Sequence, residues 1–316
     1  MLQLPDSWSW DFWIFKTENT YELFFLYASK ALHQEERRHR RAQIGRATST
    51  DLRNWTRLPD AVVRSDAPAP DDVATWTGST IAAPDGSYHM YYTGCSDRPA
   101  PNTQRVLRAT SQDMLHWDKD EEFVLEADPR WYEKAGEGEW FDEAWRDPWV
   151  FFNEDTGLWH MLVTARAQQG ESHERGVIGM VTSPDLEDWT IQPPITAPGG
   201  GFGQLEVNQV ELVDGRWVDI FCCLASEMAP RKRETASGGG TWLAFGESMT
   251  GPFDIDNAVQ LTDSTGYAGR IVQDFEGQWQ FLAFKSWVDG QFRGELSDPI
   301  PLSHILESGK PHTFTA

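Results

Sequence analysis

Ala47-Thr48-Ser49-Thr50-Asp51-Leu52-Arg53-Asn54-Trp55 says most about the architecture, because the chain contains it more than once. It returns as Ala109-Thr110-Ser111-Gln112-Asp113-Met114-Leu115-His116-Trp117 and as Val181-Thr182-Ser183-Pro184-Asp185-Leu186-Glu187-Asp188-Trp189. The three tryptophans are spaced by 62 and 72 residues, and a weakened fourth copy reads Glu247-Ser248-Met249-Thr250-Gly251-Pro252-Phe253. Self-similarity at such a period marks a repeat architecture.

Between the copies, short apolar runs are broken by turn signals, the pattern of an all-β chain. Pairs of runs straddle Pro84-Asp85-Gly86-Ser87, Glu154-Asp155-Thr156-Gly157, Val213-Asp214-Gly215-Arg216 and Phe275-Glu276-Gly277-Gln278. Each offers a residue that tolerates positive φ, so each reads as a hairpin. Thr17-Glu18-Asn19-Thr20 does the same less clearly. Five units result, with first strands near Asp11, Trp76, Asp147, Glu206 and Ala268. Their second strands are Tyr21 to Tyr27, Tyr88 to Thr93, Leu158 to Thr164, Arg216 to Cys223 and Gln278 to Phe284. Four antiparallel strands repeated radially make a β-propeller blade. The expectation is one domain over residues 1–316, a five-bladed propeller in which the first strand of each blade lines a central pocket, with the tail from Leu296 returning to close the ring.

Composition limits the partners. With 40% hydrophobic residues, 16 Trp and 17 Phe, the chain can fill a large core and is not disordered. Its net charge of -22 repels nucleic acid and anionic membrane surfaces, which leaves a small neutral molecule as the fitting partner. Cys95, Cys222 and Cys223 suit neither a disulfide framework nor a metal-binding motif, so no metal or cofactor is expected. There is no basic-then-apolar leader before Pro5 and no long apolar run, which sets a cytoplasmic location as the expectation. Arg37-Arg38-His39-Arg40-Arg41, beside Glu35-Glu36, reads as a solvated hairpin loop.

Three of the five inner strands begin with an acid: Ser9-Trp10-Asp11-Phe12-Trp13, Trp145-Arg146-Asp147-Pro148 and Gln204-Leu205-Glu206-Val207. A fourth begins Trp76-Thr77-Gly78-Ser79. Acids at the mouths of apolar strands must be paired or in use. Two carboxyl groups flanking a glycosidic bond, with aromatic faces against the sugar ring, are what glycoside chemistry needs. The bland alternatives are a buried ion pair at Arg146-Asp147, a polar cap at Asp11 and a solvated strand end at Glu206. Trp10, Trp76 and Trp145 share a position that favours platforms over plain core. Glu211 should face away from the pocket. The loop acids Glu137, Glu139, Asp142 and Glu143 could reach inward, though most are expected in solvent.

These motifs resemble glycoside hydrolase families 32 and 68, the β-fructofuranosidases and levansucrases on a five-bladed propeller. Trp10-Asp11 is similar to the nucleophile motif, Trp76-Thr77-Gly78-Ser79 to W-S-G-S, and Arg146-Asp147-Pro148 to R-D-P; Glu206 follows at the acid/base distance. The resemblance implies Asp11 as nucleophile, Asp147 as transition-state stabiliser oriented by Arg146, and Glu206 as acid/base. It implies Trp10, Trp76 and Ser79 as sugar-binding residues. Phe12 stands where the family carries Pro, the E-C-P context of the acid/base is absent, and the chain ends before a C-terminal β-sandwich. Retaining hydrolysis of sucrose or short fructans, possible transfer included, is the leading expectation. An inverting family 43-like arabinosidase or xylosidase, and a propeller that binds carbohydrate without turning it over, stay open beside it.

Overall fold

The repeated T-S-x-D motif is a turn with one job. In each copy the serine hydroxyl and the aspartate pair, and the aspartate Oδ1 accepts two backbone N–H groups just downstream: those of Arg53 and Asn54, of Leu115 and His116, and of Glu187 and Asp188. The residue after the aspartate takes a positive φ in all three, at Leu52, Met114 and Leu186. The turn thereby carries the third strand of a blade into the fourth, which starts just after the tryptophan.

The computed structural model describes residues 1–315 apart from Glu137 and Glu139. The first blade contains β1 (Ser7–Lys16), β2 (Tyr21–Ser29), β3 (Gln43–Ser49) and β4 (Thr56–Val62). The second contains β5 (Ala74–Ala82), β6 (Tyr88–Ser96), β7 (Thr103–Ser111) and β8 (Asp118–Leu125). The third contains β9 (Arg146–Asn153), β10 (Leu158–Arg166), β11 (Gly176–Ser183) and β12 (Thr190–Gln192). The fourth contains β13 (Glu206–Val213), β14 (Arg216–Cys223), β15 (Gly240–Gly246) and β16 (Val259–Gln260). The fifth contains β17 (Gly266–Gln273), β18 (Trp279–Val288), β19 (Gln291–Leu296) and β20 (Ile300–Pro301). All five are four-stranded antiparallel sheets, so the expected propeller is what forms. Apolar faces of neighbouring blades meet in buried seams, such as Tyr91, Val106, Trp145 and Val163 between the second and third. Cys222 and Cys223 are free and point to different seams, as neighbours in a strand must.

The fifth blade departs from strict radial order. Both β19 and β20 pair with β18, and the tail continues through a short helix, α1 (Leu302–Ser308), packed on that blade. The ring closes where the start of the tail meets the N-terminus: the Leu296 N–H donates to the Leu2 carbonyl at 2.9 Å and the Met1 ammonium pairs with Asp298, while Lys16 Nζ donates to the Asp274 carbonyl. The expectation that the tail from Leu296 closes the ring holds for its first residues; its helix covers the last blade.

One irregularity recurs in every blade. The register of the innermost strand slips between Trp10 and Phe12, between Trp76 and Gly78, at Asp147-Pro148, between Glu206 and Gln209, and between Tyr267 and Arg270. Such bulges bend a strand and re-aim a side chain. Here all five lie at the start of the inner strand, at one end of the ring.

Candidate active site

That end of the ring is a cavity of about 730 Å³. Asp11, Asp147 and Glu206 all line it, with Trp10, Trp76 and Arg146. Asp11 sits at the first bulge, where Thr77 of the second bulge donates a hydrogen bond to its Oδ2 at 2.9 Å. Burial pushes the Asp11 carboxyl up from its ordinary value; the Thr77 bond opposes this and the charge of Glu206 adds to it. Asp147 is 2% exposed, with its Oδ2 accepting from Thr164 Oγ1 at 2.8 Å and from the Val207 N–H at 3.3 Å. Its own N–H donates to Thr93 Oγ1, which fixes the bulge. Burial first, opposed by Arg146 and reinforced by Asp11 and Glu206, pushes Asp147 up to about 7.

Glu206 is clamped from both sides. Arg146 Nη2 donates to its Oε1 at 2.7 Å, and the Tyr267 hydroxyl donates to its Oε2. Arg146 in turn is held by Gln104 Oε1 at 3.0 Å, Asp142 Oδ2 at 3.2 Å and Gln204 Oε1. Burial alone would lower the Arg146 guanidinium, but Asp142, Glu206 and Asp147 together hold it well above its ordinary value. The Arg146 cation thus stands among three carboxyl groups. Carboxyls from different blades that share one cavity are placed for acid, base and nucleophile roles. Among the described residues, no group of three or more His, Cys, Asp or Glu is placed to hold a metal ion.

Residues 12–291 match the model of the glycosyl hydrolases family 32 N-terminal domain. The chain belongs to glycoside hydrolase family 32. It is 30% identical over 181 residues to an insoluble β-fructofuranosidase isoenzyme of Arabidopsis thaliana, a match that covers 55% of this chain and 29% of that protein. It is 26% identical over 340 residues to the extracellular sucrase of Zymomonas mobilis, covering 93% and 78% of the two. The fold is shared with the inulosucrase from Halalkalicoccus jeotgali bound to kestose, at TM-score 0.74 and 18% identity over 93% of this chain and 84% of that one. The levansucrase from Gluconacetobacter diazotrophicus gives TM-score 0.72 and 17% identity over 95% and 79%. This family 32 member is thus a glycoside hydrolase on the expected five-bladed propeller.

Several details of the hydrolase's site differ from the sequence-based expectation. Ser79 does not line the cavity: it is buried in the seam between the second and third blades and accepts from the Val150 N–H at 3.1 Å. A strand rises about 3.3 Å per residue, so two residues past Thr77 the inner strand has already passed beneath the floor. Trp145 is fully buried core, its Nε1 bonded to the Leu125 carbonyl, because it points away from Arg146. Arg146 contacts Glu206 more closely than Asp147, whose Oδ2 lies 3.6 Å from its Nε. Residues Glu35–Arg41 form a 3-10 helix rather than a hairpin loop; Arg37, Arg40 and Arg41 are exposed as expected, while Arg38 is not. Arg38 is buried between the rings of Phe292 and Trp10, and His39 stands against Trp10 and Trp76 on the cavity wall. Asp142 and Glu143 are buried, the latter accepting from the Ala135 N–H and pairing with Lys134. Glu137 and Glu139 lie outside the described residues. Glu211 is absent from the cavity wall, as expected; burial pushes it up to about 7.

Thr77, Tyr267, Gln104, Gln204 and Glu227 escaped sequence reading as functional residues. For Tyr267 a signal existed: it sits at the bulge of the fifth inner strand, the position that holds an acid in three other blades. Gln104 comes from the third strand of its blade, and nothing in its neighbourhood marks it.

Proposed function

We propose that the protein is a retaining hydrolase of β-fructofuranosides, with sucrose or short fructans as substrates. The observation that carries this is the convergence of Asp11, Asp147 and Glu206, from three different blades, on one cavity with Arg146 between them. Asp11 attacks the anomeric carbon while Glu206 delivers a proton to the glycosidic oxygen; the fructosyl group is then bonded to Asp11. Glu206, now a carboxylate, takes a proton from the incoming water, which releases fructose and restores Asp11. Asp147, on the floor beside Asp11, holds fructosyl hydroxyls as positive charge develops on the ring. Arg146 and Tyr267 keep the Glu206 carboxyl in place through both steps. Membership of family 32 and relatives named sucrase and β-fructofuranosidase support this reading over a pentosidase one. Neighbours named inulosucrase and levansucrase support transfer to a second sugar as a companion activity of the same intermediate.

The test is glucose release from sucrose by the wild-type protein, Asp11→Ala and Glu206→Ala, with circular dichroism to confirm the fold. Either variant should lose activity by about a hundredfold to ten-thousandfold, the size expected when a positioned proton donor or its partner group is removed. A folded Asp11→Ala protein that kept a tenth of the wild-type rate would overturn the assignment.

A further inference from the structure

One buried acid in the cavity has no place in that mechanism. Glu227 ends a 3-10 turn, Ala225–Glu227, that follows β14. The turn is pinned to the glycine-rich loop before Glu206, since the Gly203 N–H donates to the Glu227 carbonyl at 2.8 Å. Gly203 has no room for a side chain there: a Cβ would stand 2.5 Å from that carbonyl and 2.7 Å from the Trp140 ring. Glu227 is therefore held rigidly, lining the cavity at 6% exposure, while Leu224 and Ser226 beside it are exposed at the lip. Among the described residues its Oε2 is buried without a hydrogen-bond partner. A buried carboxyl on a pinned backbone, with one of its oxygens unpartnered on a sugar-sized cavity, lacks the group that would complete it.

We propose that Glu227 is a further substrate-contacting residue, whose carboxyl group hydrogen-bonds a hydroxyl of the leaving-group sugar. This rests on the glycosidase reading above. Glu206 must stand on the side from which the leaving group departs, because it protonates that oxygen. Glu227 is tied through its carbonyl to Gly203, three residues before Glu206, and lines the cavity with Glu206, Arg146 and Asp142, which places it on the same side. Burial first, then Glu206 and Asp142 against the opposing Arg146, pushes Glu227 up to about 8. At neutral pH it thus carries a proton and can donate, and a buried site built to hydrogen-bond a hydroxyl discriminates strongly against a ligand lacking it. The groups facing it from other elements are Glu206 of β13, Arg146 of β9, Asp142 of the preceding loop, the Tyr267 hydroxyl and the Cys223 thiol.

The experiment compares sucrose with methyl β-D-fructofuranoside, whose leaving group has no further hydroxyl. Glu227→Ala should lower kcat/KM for sucrose roughly tenfold more than for the methyl glycoside, the loss of one hydrogen bond to a buried group. Glu227→Gln, which keeps a donor, should recover most of that difference. In the wild type, KM for sucrose should rise above about pH 8, and in Glu227→Gln that rise should be absent. Equal losses on the two substrates, no recovery by Gln, or the same alkaline rise in Glu227→Gln would each overturn the proposal. If Glu227→Ala fails to fold, the wild-type and Gln pH profiles decide. A wild-type protein that turned over neither substrate would end the glycosidase reading, and this one with it; an active wild type without the split ends only this one.

Discussion

Thr77→Val removes one hydroxyl and keeps the side-chain shape, and its effect should appear in the pH dependence of turnover rather than in the fold. In the intact site Thr77 donates to Asp11 Oδ2 at 2.9 Å, inside a cavity whose burial pushes the carboxyl up. The hydrogen bond favours the ionised form, so it holds Asp11 below the value burial alone would impose. Removing it lets the carboxyl rise further. A hydrogen bond to a charged group contributes about 1.5–3 kcal/mol. At about 1.36 kcal/mol per unit, that is an upward displacement of roughly one to two units. Asp11 must be ionised to attack, so the acid limb of kcat/KM for sucrose should move to higher pH by that amount. The assay is initial-rate glucose release across the acid range for wild type, Thr77→Val and Thr77→Ser. Serine keeps the donor and should stay near the wild type. An acid limb that stayed in place in Thr77→Val, moved down, or moved equally in Thr77→Ser would refute the role given to Thr77 and the identification of that limb with Asp11.

Two more perturbations read separate parts of the site. Asp147 is raised to about 7, so the folded protein holds this proton more tightly than the unfolded chain, whose carboxyl titrates near its ordinary 3.8. Between those values stability falls as pH rises, by up to about 4 kcal/mol for a three-unit shift. Asp147→Asn should therefore lose activity yet gain thermal stability over the wild type, with a Tm gap that widens from pH 4 to pH 7 and then levels. A gap independent of pH would show that Asp147 ionises as easily folded as unfolded. Trp287, exposed and packed on Phe292, lines the cavity together with the exposed Leu224 and Phe141. Trp287→Ala should raise KM for fructan trisaccharides about two- to tenfold more than for sucrose, the size of one lost ring contact; equal changes would remove it as a platform.

Legibility in the sequence followed the distance over which each signal acts. The T-S-x-D turns are complete within five residues, hydroxyl to carboxylate to the next N–H groups, so their copies could be recognised without any tertiary knowledge. The hairpins at Asp85-Gly86 and Asp214-Gly215 are equally local, and from them the blade count follows. Asp11, Asp147 and Glu206 stood out because a carboxylic acid heading an apolar strand violates the local pattern. Ser79 was assigned through the resemblance to W-S-G-S and Trp145 through its position beside a strand head, and neither signal says which face a residue takes next to a bulge. Arg38 looked solvated because five basic residues in a row usually are; its burial depends on Phe292, more than 250 residues away. Gln104 and Glu227 have no local signature, since what defines each is a partner from another blade.

The bulges also explain how a propeller makes one site from acids so far apart in the chain. A regular inner strand would send successive side chains to opposite faces of the blade, so two neighbours could not both face the cavity. With a slip at the strand head, two neighbours can face it: Trp10 with Asp11, Trp76 with Thr77, Arg146 with Asp147. The arrangement costs strain. Asp147, Val207 and Ala268 adopt φ of 58°, 59° and 47°, a region that disfavours any side chain by about 1–2 kcal/mol each. Those three residues belong to adjacent blades, and the bonds that fix them are the ones that build the site. The Asp147 N–H is tied to Thr93, the Val207 N–H to Asp147 and Thr164, and Arg270 reaches across to the carbonyls of Val207 and Asn208. The strain and the catalytic geometry are thus held by one network, in which Asp147 joins a left-handed backbone to a carboxyl 2% exposed beside Arg146, Asp11 and Glu206.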